Sequence, residues 1–156
     1  MTEFAQLART IAAQCPALRV RQASRVLTKL FDCELARFGL HSSQLAVLVA
    51  AALSGDSGAA MNKLAQVLLM DRTTLTRSIQ PLERAGLLRV ARSPRDARTK
   101  AVVITRPGER MIKAVFPVWA HVLQQIKKSA GEEVLTGLHA RLDQVIALAE
   151  RQSSDI

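Results

Sequence analysis

Apolar residues recur along this chain mainly at spacings of three and four, the mark of one helical face. Residues 3–13 place Phe4, Leu7, Ala8 and Ile11 on such a face, which predicts a short amphipathic helix. Cys15-Pro16 interrupts it. Proline suits a first helical turn, so Pro16 opens the next helix. That helix carries Ala23, Val26/Leu27, Leu30/Phe31, Leu35 and Phe38, and Gly39 stops it. A third helix starts at His41-Ser42-Ser43-Gln44 and runs to Leu53, with Leu45, Leu48, Val49 and Ala52 as its apolar face. Ser-Gly-Asp-Ser-Gly (54–58) is a turn cluster. Met61, Leu64, Ala65 and Leu68 mark a short fourth helix. Asp71 caps a fifth, which buries Leu75, Ile79 and Leu82. Pro81 removes one hydrogen bond inside it and should kink or loosen its last turn.

The period then changes. After Gly86, residues 87–91 (LLRVA) and 101–105 (AVVIT) read as short strands rich in branched side chains, joined by the polar loop RSPRDARTK. Thr105 caps a long helix reaching Ser129, striped by Val115, Val118/Trp119, Val122/Leu123 and Ile126 and bent at Pro117. Gly131 breaks the pattern, and a last helix over 132–151 carries Val134/Leu135, Leu138, Leu142, Val145/Ile146 and Ala149. The fold class is mainly α with one small β-hairpin. The end helices carry more apolar stripe than a small central lobe can bury, which points to pairing with a second chain.

Composition sharpens this picture in two places. Hydrophobic residues make up 49% of the chain but aromatics only 3%, so Leu, Val, Ile and Ala must build the core. The net charge is +9, and it is concentrated: residues 61–106 hold ten basic residues against three acidic ones, a surplus of seven. A compact basic unit fits a polyanion, nucleic acid first and an anionic membrane surface second. No run approaches the ~18 apolar residues of a membrane helix. The start MTEFAQLART lacks the pattern of a signal peptide, and two cysteines make no disulfide framework. The chain therefore reads as a soluble, reduced, cytoplasmic protein.

Three stretches carry a family resemblance: GLHSSQLAVL (39–48), KLAQVLLMDRTTLTRSIQPLERAGLL (63–88) and RDARTKAVVITRPGER (95–110). The most specific piece is Asp96-x-Arg98, a strand ending in Ile104-Thr105, and then Gly108. Over residues 18–150 the chain resembles the MarR (multiple antibiotic resistance regulator) family of winged helix–turn–helix proteins. The resemblance implies a DNA-binding domain over 41–105 and a helical dimerisation region formed by 1–40 and 106–156. It also implies a homodimer on a pseudo-palindromic DNA site. Such proteins commonly repress genes beside their own, and many release DNA on sensing a small phenolic or aromatic ligand or an oxidant. Three positions depart from the pattern. His41 replaces a frequent Thr, which weakens a capping box to His41-x-x-Gln44 and leaves Ser42 as an alternative cap. Leu69 stands where the turn usually has Gly, which should distort the turn or lengthen the helix before it. The extension with Cys15-Pro16 belongs to only some members.

The resemblance assigns the helix after Asp71 to a major groove. Arg72 and Arg77 then suit guanine edges; Thr73, Thr74 and Thr76 suit phosphates or thymine methyls; Gln80 suits adenine. Arg95 and Arg98 suit a narrow minor groove, with Asp96 bound to a neighbouring arginine to fix the loop. Arg92, Lys100, Asn62 and Lys63 suit phosphates. Each of these also reads as a solvated surface residue, and the Asp96 loop as a basic loop without a fixed pose. Phe31, Met111, Phe116 and Trp119 are the side chains for an effector pocket, or plain core. Cys15 and Cys33 on one helix would lie ~27 Å apart, too far for the ~7 Å Cα approach of an intrachain disulfide. Cys15 is the redox candidate, since a helix start with Arg19 and Arg21 nearby favours a thiolate. The bland reading makes Cys33 a small buried apolar residue and Cys15 a bystander.

His41, His121 and His139 stand at no metal-ligand spacing, and the chain shows no phosphate loop or nucleophile elbow. No enzyme, metal or cofactor is expected. Two alternatives stand beside a DNA-binding repressor: a thiol-based redox regulator using Cys15, and a winged-helix module that binds protein.

Overall fold

The computed structural model describes residues 2–92 and 99–153. Helix α1 (Glu3–Gln14) ends at Cys15, and Pro16 takes the first turn of α2 (Pro16–Leu35). A 3₁₀ turn (Ala36–Phe38) extends α2 to Gly39, whose φ of 68° closes it. Helix α3 (Ser42–Leu53) follows, then strand β1 (Ala59–Ala60) and helix α4 (Met61–Val67). Helix α5 (Arg72–Arg84) continues through Pro81 to its full length. Strands β2 (Leu88–Arg92) and β3 (Lys100–Ile104) precede the long helices α6 (Arg106–Ala130) and α7 (Glu132–Ser153). The chain divides into two compact units, Met1–Val115 and Phe116–Ile156.

The first unit is built on one core. Val47, Leu48 and Ala51 of α3, Leu64 of α4, and Leu75, Ile79 and Leu82 of α5 pack with Leu88 and Val102 of the sheet. Leu35, Leu40, Ala59, Leu87 and Val115 complete that cluster. The buried face of α3 is Gln44, Val47, Leu48 and Ala51, while Val49 is exposed, so the expected face is rotated by about one position. The sequence of α3 is apolar nearly all round, so its periodicity does not select a face. Contacts with α5 on one side and β3 on the other decide it. In the second unit, Val122 is buried, while α7 leaves Val134, Leu138, Val145 and Ile146 exposed.

Among the described residues the sheet has three strands in the order β1-β3-β2, all antiparallel. Strand β1 has too few residues for alternation to reveal it. It approaches β3 closely because Gly58 precedes it with φ 68°; a side-chain carbon there would lie 2.7 Å from the Val102 carbonyl oxygen. The other two strands start and end one residue away from the expected positions. Leu87 is used to close α5, its amide bonding the Leu82 carbonyl at 2.9 Å. Thr105 caps α6: its hydroxyl accepts from the Gly108 amide at 3.2 Å and donates to the Gly86 carbonyl at 2.6 Å. That close crossing explains Gly108, where any side-chain carbon would strike the Leu87 carbonyl oxygen and approach Ile104 Cγ1 to 2.8 Å.

Helices α4 and α5 end in the same hydrogen-bonded turn. After α5, the Gly86 amide bonds Glu83 O and Leu87 bonds Leu82 O; after α4, Leu69 bonds Gln66 O and Met70 bonds Ala65 O. Both are Schellman turns, which place one residue in the left-handed region. Gly86 does so freely, whereas Leu69 is held there at φ 50°. The expected distortion of the turn, or lengthening of α4, therefore does not occur: the turn keeps its bonds and the strain sits on Leu69. Leu69 is 62% exposed, so its side chain adds little packing in return. Leu69→Gly is expected to raise stability by about 0.5–1 kcal/mol, the left-handed strain outweighing the entropy cost of glycine. The check is a higher urea midpoint at unchanged m value; a lower midpoint would show that the leucine side chain stabilises the turn.

Candidate nucleic-acid interface

The start of α5 is fixed by its own sequence. Asp71 Oδ1 accepts from the Thr74 amide at 2.8 Å, and the Thr74 hydroxyl donates to Asp71 Oδ2 at 2.6 Å. These two bonds, the hydroxyl first, hold the Asp71 carboxyl below the usual carboxylate range. The Thr76 hydroxyl donates to the Arg72 carbonyl at 2.7 Å. Thr74 and Thr76 thus have their hydroxyl protons engaged inside α5. Thr73, Arg72, Arg77 and Gln80 carry side chains with no intramolecular partner among the described residues. Three of these, Thr73, Arg77 and Gln80, are fully on the outer face, opposite Leu75, Ile79 and Leu82.

A groove of about 780 Å³ runs between α5 and the hairpin. Arg72, Thr76, Gln80 and Glu83 line its helix side, Arg92, Thr99 and Lys100 its strand side, and Met61 and Asn62 its end. It therefore brings together six of the residues expected on DNA: Asn62, Arg72, Thr76, Gln80, Arg92 and Lys100. Lys63, Thr73, Thr74 and Arg77 are exposed on α4 and α5 but do not line it. Arg95, Asp96 and Arg98 lie outside the described residues. Arg92 and Lys100 are direct partners across the β2–β3 ladder. Like charges facing one another across a ladder are destabilising, so this pair favours an anion between or beside them.

Two structural features escaped the sequence reading. Glu83 lines the groove and accepts from the Val90 amide at 3.1 Å; a count of basic residues gives no reason to notice it. At the start of α3 the expected box His41-x-x-Gln44 forms with His41 as the cap, not Ser42, and Asp32 of α2 adds an acceptor from outside the helix. Gln44 accepts from the His41 amide at 2.8 Å, while Ser42 is the first helical residue and its amide is taken by Asp32 Oδ1 of α2 at 2.6 Å. That amide bond is the main reason the Asp32 carboxyl lies below its ordinary range; His41 Nδ1, 3.5 Å away, adds to it.

The remaining candidates are dispersed. Phe31 and Met111 pack half-buried against the core of the first unit. In the second unit Phe116 and Trp119 are exposed, with ring centroids 5.8 Å apart. Cys15 is partly buried at the α1–α2 junction. Cys33 is exposed, which corrects its reading as a small buried residue: Leu35, not Cys33, faces the core. Among the described residues no single helix is long and apolar enough to cross a membrane.

Two helices joined by a tight turn, the second with a free polar face, followed by a hairpin flanking that face, define a winged helix–turn–helix protein. The sequence profile of the MarR family matches residues 38–99. The transcriptional regulator MosR of M. tuberculosis is 28% identical, over 86% of this chain and 97% of that one, with a TM-score of 0.73. The same regulator in complex with DNA is 29% identical, over 87% and 98% of the two chains, with a TM-score of 0.72. The S. aureus MepR–DNA complex shares the fold at 20% identity, covering 85% of this chain and 96% of that one, with a TM-score of 0.72. No curated protein sequence matches significantly. Residues 38–99 thus carry the MarR-family winged helix–turn–helix pattern, and the solved transcriptional regulators share this fold over most of the chain.

Proposed function

We propose that this chain is a homodimeric repressor that reads a pseudo-palindromic operator. The observation that carries the reading is the groove itself. Arg72 and Gln80 on one wall face Arg92 and Lys100 on the other, and the like-charged ladder pair has no acidic partner among the described residues. A DNA strand lying along this groove would present base edges to Arg72 and Gln80 on α5 and phosphates to Arg92 and Lys100 on the wing, with α5 in the major groove and the wing beside it. MosR and MepR are both known in complexes with DNA. Arg72 and Arg77 are assigned to guanine edges, Gln80 to adenine and Thr73 to a thymine methyl or a phosphate; Asn62, Lys63, Arg92 and Lys100 to phosphates; Thr74 and Thr76 to phosphate contact through their remaining lone pairs. Arg95 and Arg98 are assigned to the flanking minor groove and Asp96 to shaping the wing tip.

Dimerisation is assigned to the end helices. Phe4, Leu7 and Ile11 of α1, Val26 of α2, and Val145 and Leu148 of α7 are all exposed, an apolar area that a second copy would remove from water. Release by a planar apolar effector is assigned, in the second unit, to Phe116 and Trp119, which form an open aromatic pair, and, in the first, to Phe31 and Met111. The test is selection of DNA from a random pool by the purified chain, repeated over a salt series. A two-fold symmetric site with half-sites about one helical turn apart is expected, with log affinity falling by ~0.9 per phosphate contact for each unit of log salt. Binding without a preferred sequence would sink the operator reading.

A further inference from the structure

We propose that Glu83 is the positioning residue that ties the wing to the recognition helix α5 and so sets where Arg92 and Lys100 meet the DNA backbone. The proposal rests on the DNA-reading function above.

Strand β2 is the outer strand of the sheet, so among the described residues one of its edges has no neighbouring strand. Its register pairs Leu88 with Ile104 and Val90 with Val102. One step earlier, the Thr105 amide bonds the Leu87 carbonyl at 3.1 Å. Antiparallel pairing alternates bonded and non-bonded partners. Leu87, Arg89 and Ala91 therefore bond towards β3, and the amides of Leu88, Val90 and Arg92 point to the open edge. Glu83 Oε1, on the last turns of α5, accepts the middle one of these at 3.1 Å.

The location gives this bond its consequence. Glu83 shares a groove with Arg72, Arg92 and Lys100, where a free carboxylate would repel a phosphate strand. A carboxylate bound to a wing amide performs a different task. Without it, β2 is joined to α5 through the turn at Ala85–Leu87 and the apolar packing of Leu88 against Leu75, Ile79 and Leu82, which fixes no hydrogen-bonded spacing at the groove. With it, a hydrogen bond between Glu83 and Val90, seven residues apart in sequence, ties the groove wall of the helix to the strand. Arg92 lies two residues beyond the tie, and Lys100 is its ladder partner, so both move with β2. The spacing between the base-reading face of α5 and the phosphate-binding base of the wing is then set by this contact.

The experiment uses the full chain and the DNA that the wild type selects, with affinities measured over a salt series. Arg92→Ala with Lys100→Ala sets the reference, a slope shallower by ~1.8 for two lost phosphate contacts. Glu83→Ala is expected to lose most of that same slope although both cations remain. Glu83→Gln keeps an oxygen to accept from the Val90 amide and is expected to keep the wild-type slope. Adding Glu83→Ala to the Arg92/Lys100 double variant is expected to change the slope no further, because the contacts it positions are gone. A Glu83→Ala protein with lower thermal stability but an unchanged slope would overturn the proposal, leaving a bond that only stabilises the fold. Equal gains of affinity in Glu83→Ala and Glu83→Gln would also overturn it, since only the charge would then matter. If the wild type itself selects no symmetric site, the DNA-reading function falls and takes the proposal with it; a failure confined to the Glu83 variants removes the proposal alone.

Discussion

Removing both guanidinium groups from the recognition helix, as Arg72→Ala with Arg77→Ala, is expected to weaken binding to the selected operator by about 2–6 kcal/mol per half-site, at about 1–3 kcal/mol for each bidentate guanine contact. Both residues are exposed, and neither guanidinium has a partner among the described residues, so neither has an internal ion pair to give up on binding. Five positions separate them, about 7.5 Å along the helix axis. They would therefore read different base steps, and their losses should add to within about 0.5 kcal/mol. Base contact and phosphate contact predict different companions to the loss. Base readers lose affinity for the operator while binding to random DNA changes little, and selection with the variant should return sites degenerate at two positions per half-site. Phosphate contacts would instead lower affinity for all sequences alike and make the salt slope shallower. That second pattern would move Arg72 and Arg77 to the backbone and leave Thr73 and Gln80 as the base-reading candidates.

The residues so used were legible in the sequence because α5 reports its own geometry. The Asp71 cap, the apolar positions Leu75, Ile79 and Leu82, and the close at Gly86 fix which faces are inside and outside without reference to any other element. What was not legible depends on partners distant in the chain. The buried face of α3 depends on α5 and β3, because its own pattern is apolar on every side. Strand β1 exists only because Gly58 lets two residues reach β3. The local rule found the His41-x-x-Gln44 box of α3, but not the second acceptor, Asp32, which reaches the Ser42 amide from ten residues earlier. Leu69 shows the opposite limit: a local rule expected a damaged turn, and the bonds to Gln66 and Ala65 carried the leucine into a left-handed backbone all the same. The groove was half legible. Its cations stood out as a charge excess, but the carboxylate of Glu83 acquires its role only when the hairpin folds back beside α5.

Leu75→Ala is expected to destabilise the protein by about 2–5 kcal/mol, the transfer term plus the cavity left behind. Leu75 is 0% exposed and belongs to the cluster that joins Val47 and Leu48 of α3, Leu64 of α4 and Leu82 of α5. A typical domain has a total stability of only about 5–15 kcal/mol, so this one truncation removes a large part of it. Leu53→Ala is the matched control: Leu53 is 85% exposed, and a surface truncation of that kind should stay within about 0.5 kcal/mol. Urea unfolding of both variants measures the difference directly. The functional consequence is sharper than the loss of folded protein. Helix α5 is held in place by Leu75, Ser78, Ile79 and Leu82, since its outer face is free for a ligand. Loosening that one face shifts Arg72 and Arg77 together, so operator affinity should fall further than the folded fraction does, even where most of the protein remains native. An operator affinity that simply tracks the folded fraction would mean that the Asp71 cap and the Glu83 tie are enough to hold α5 in its reading position, and that the buried face serves stability alone.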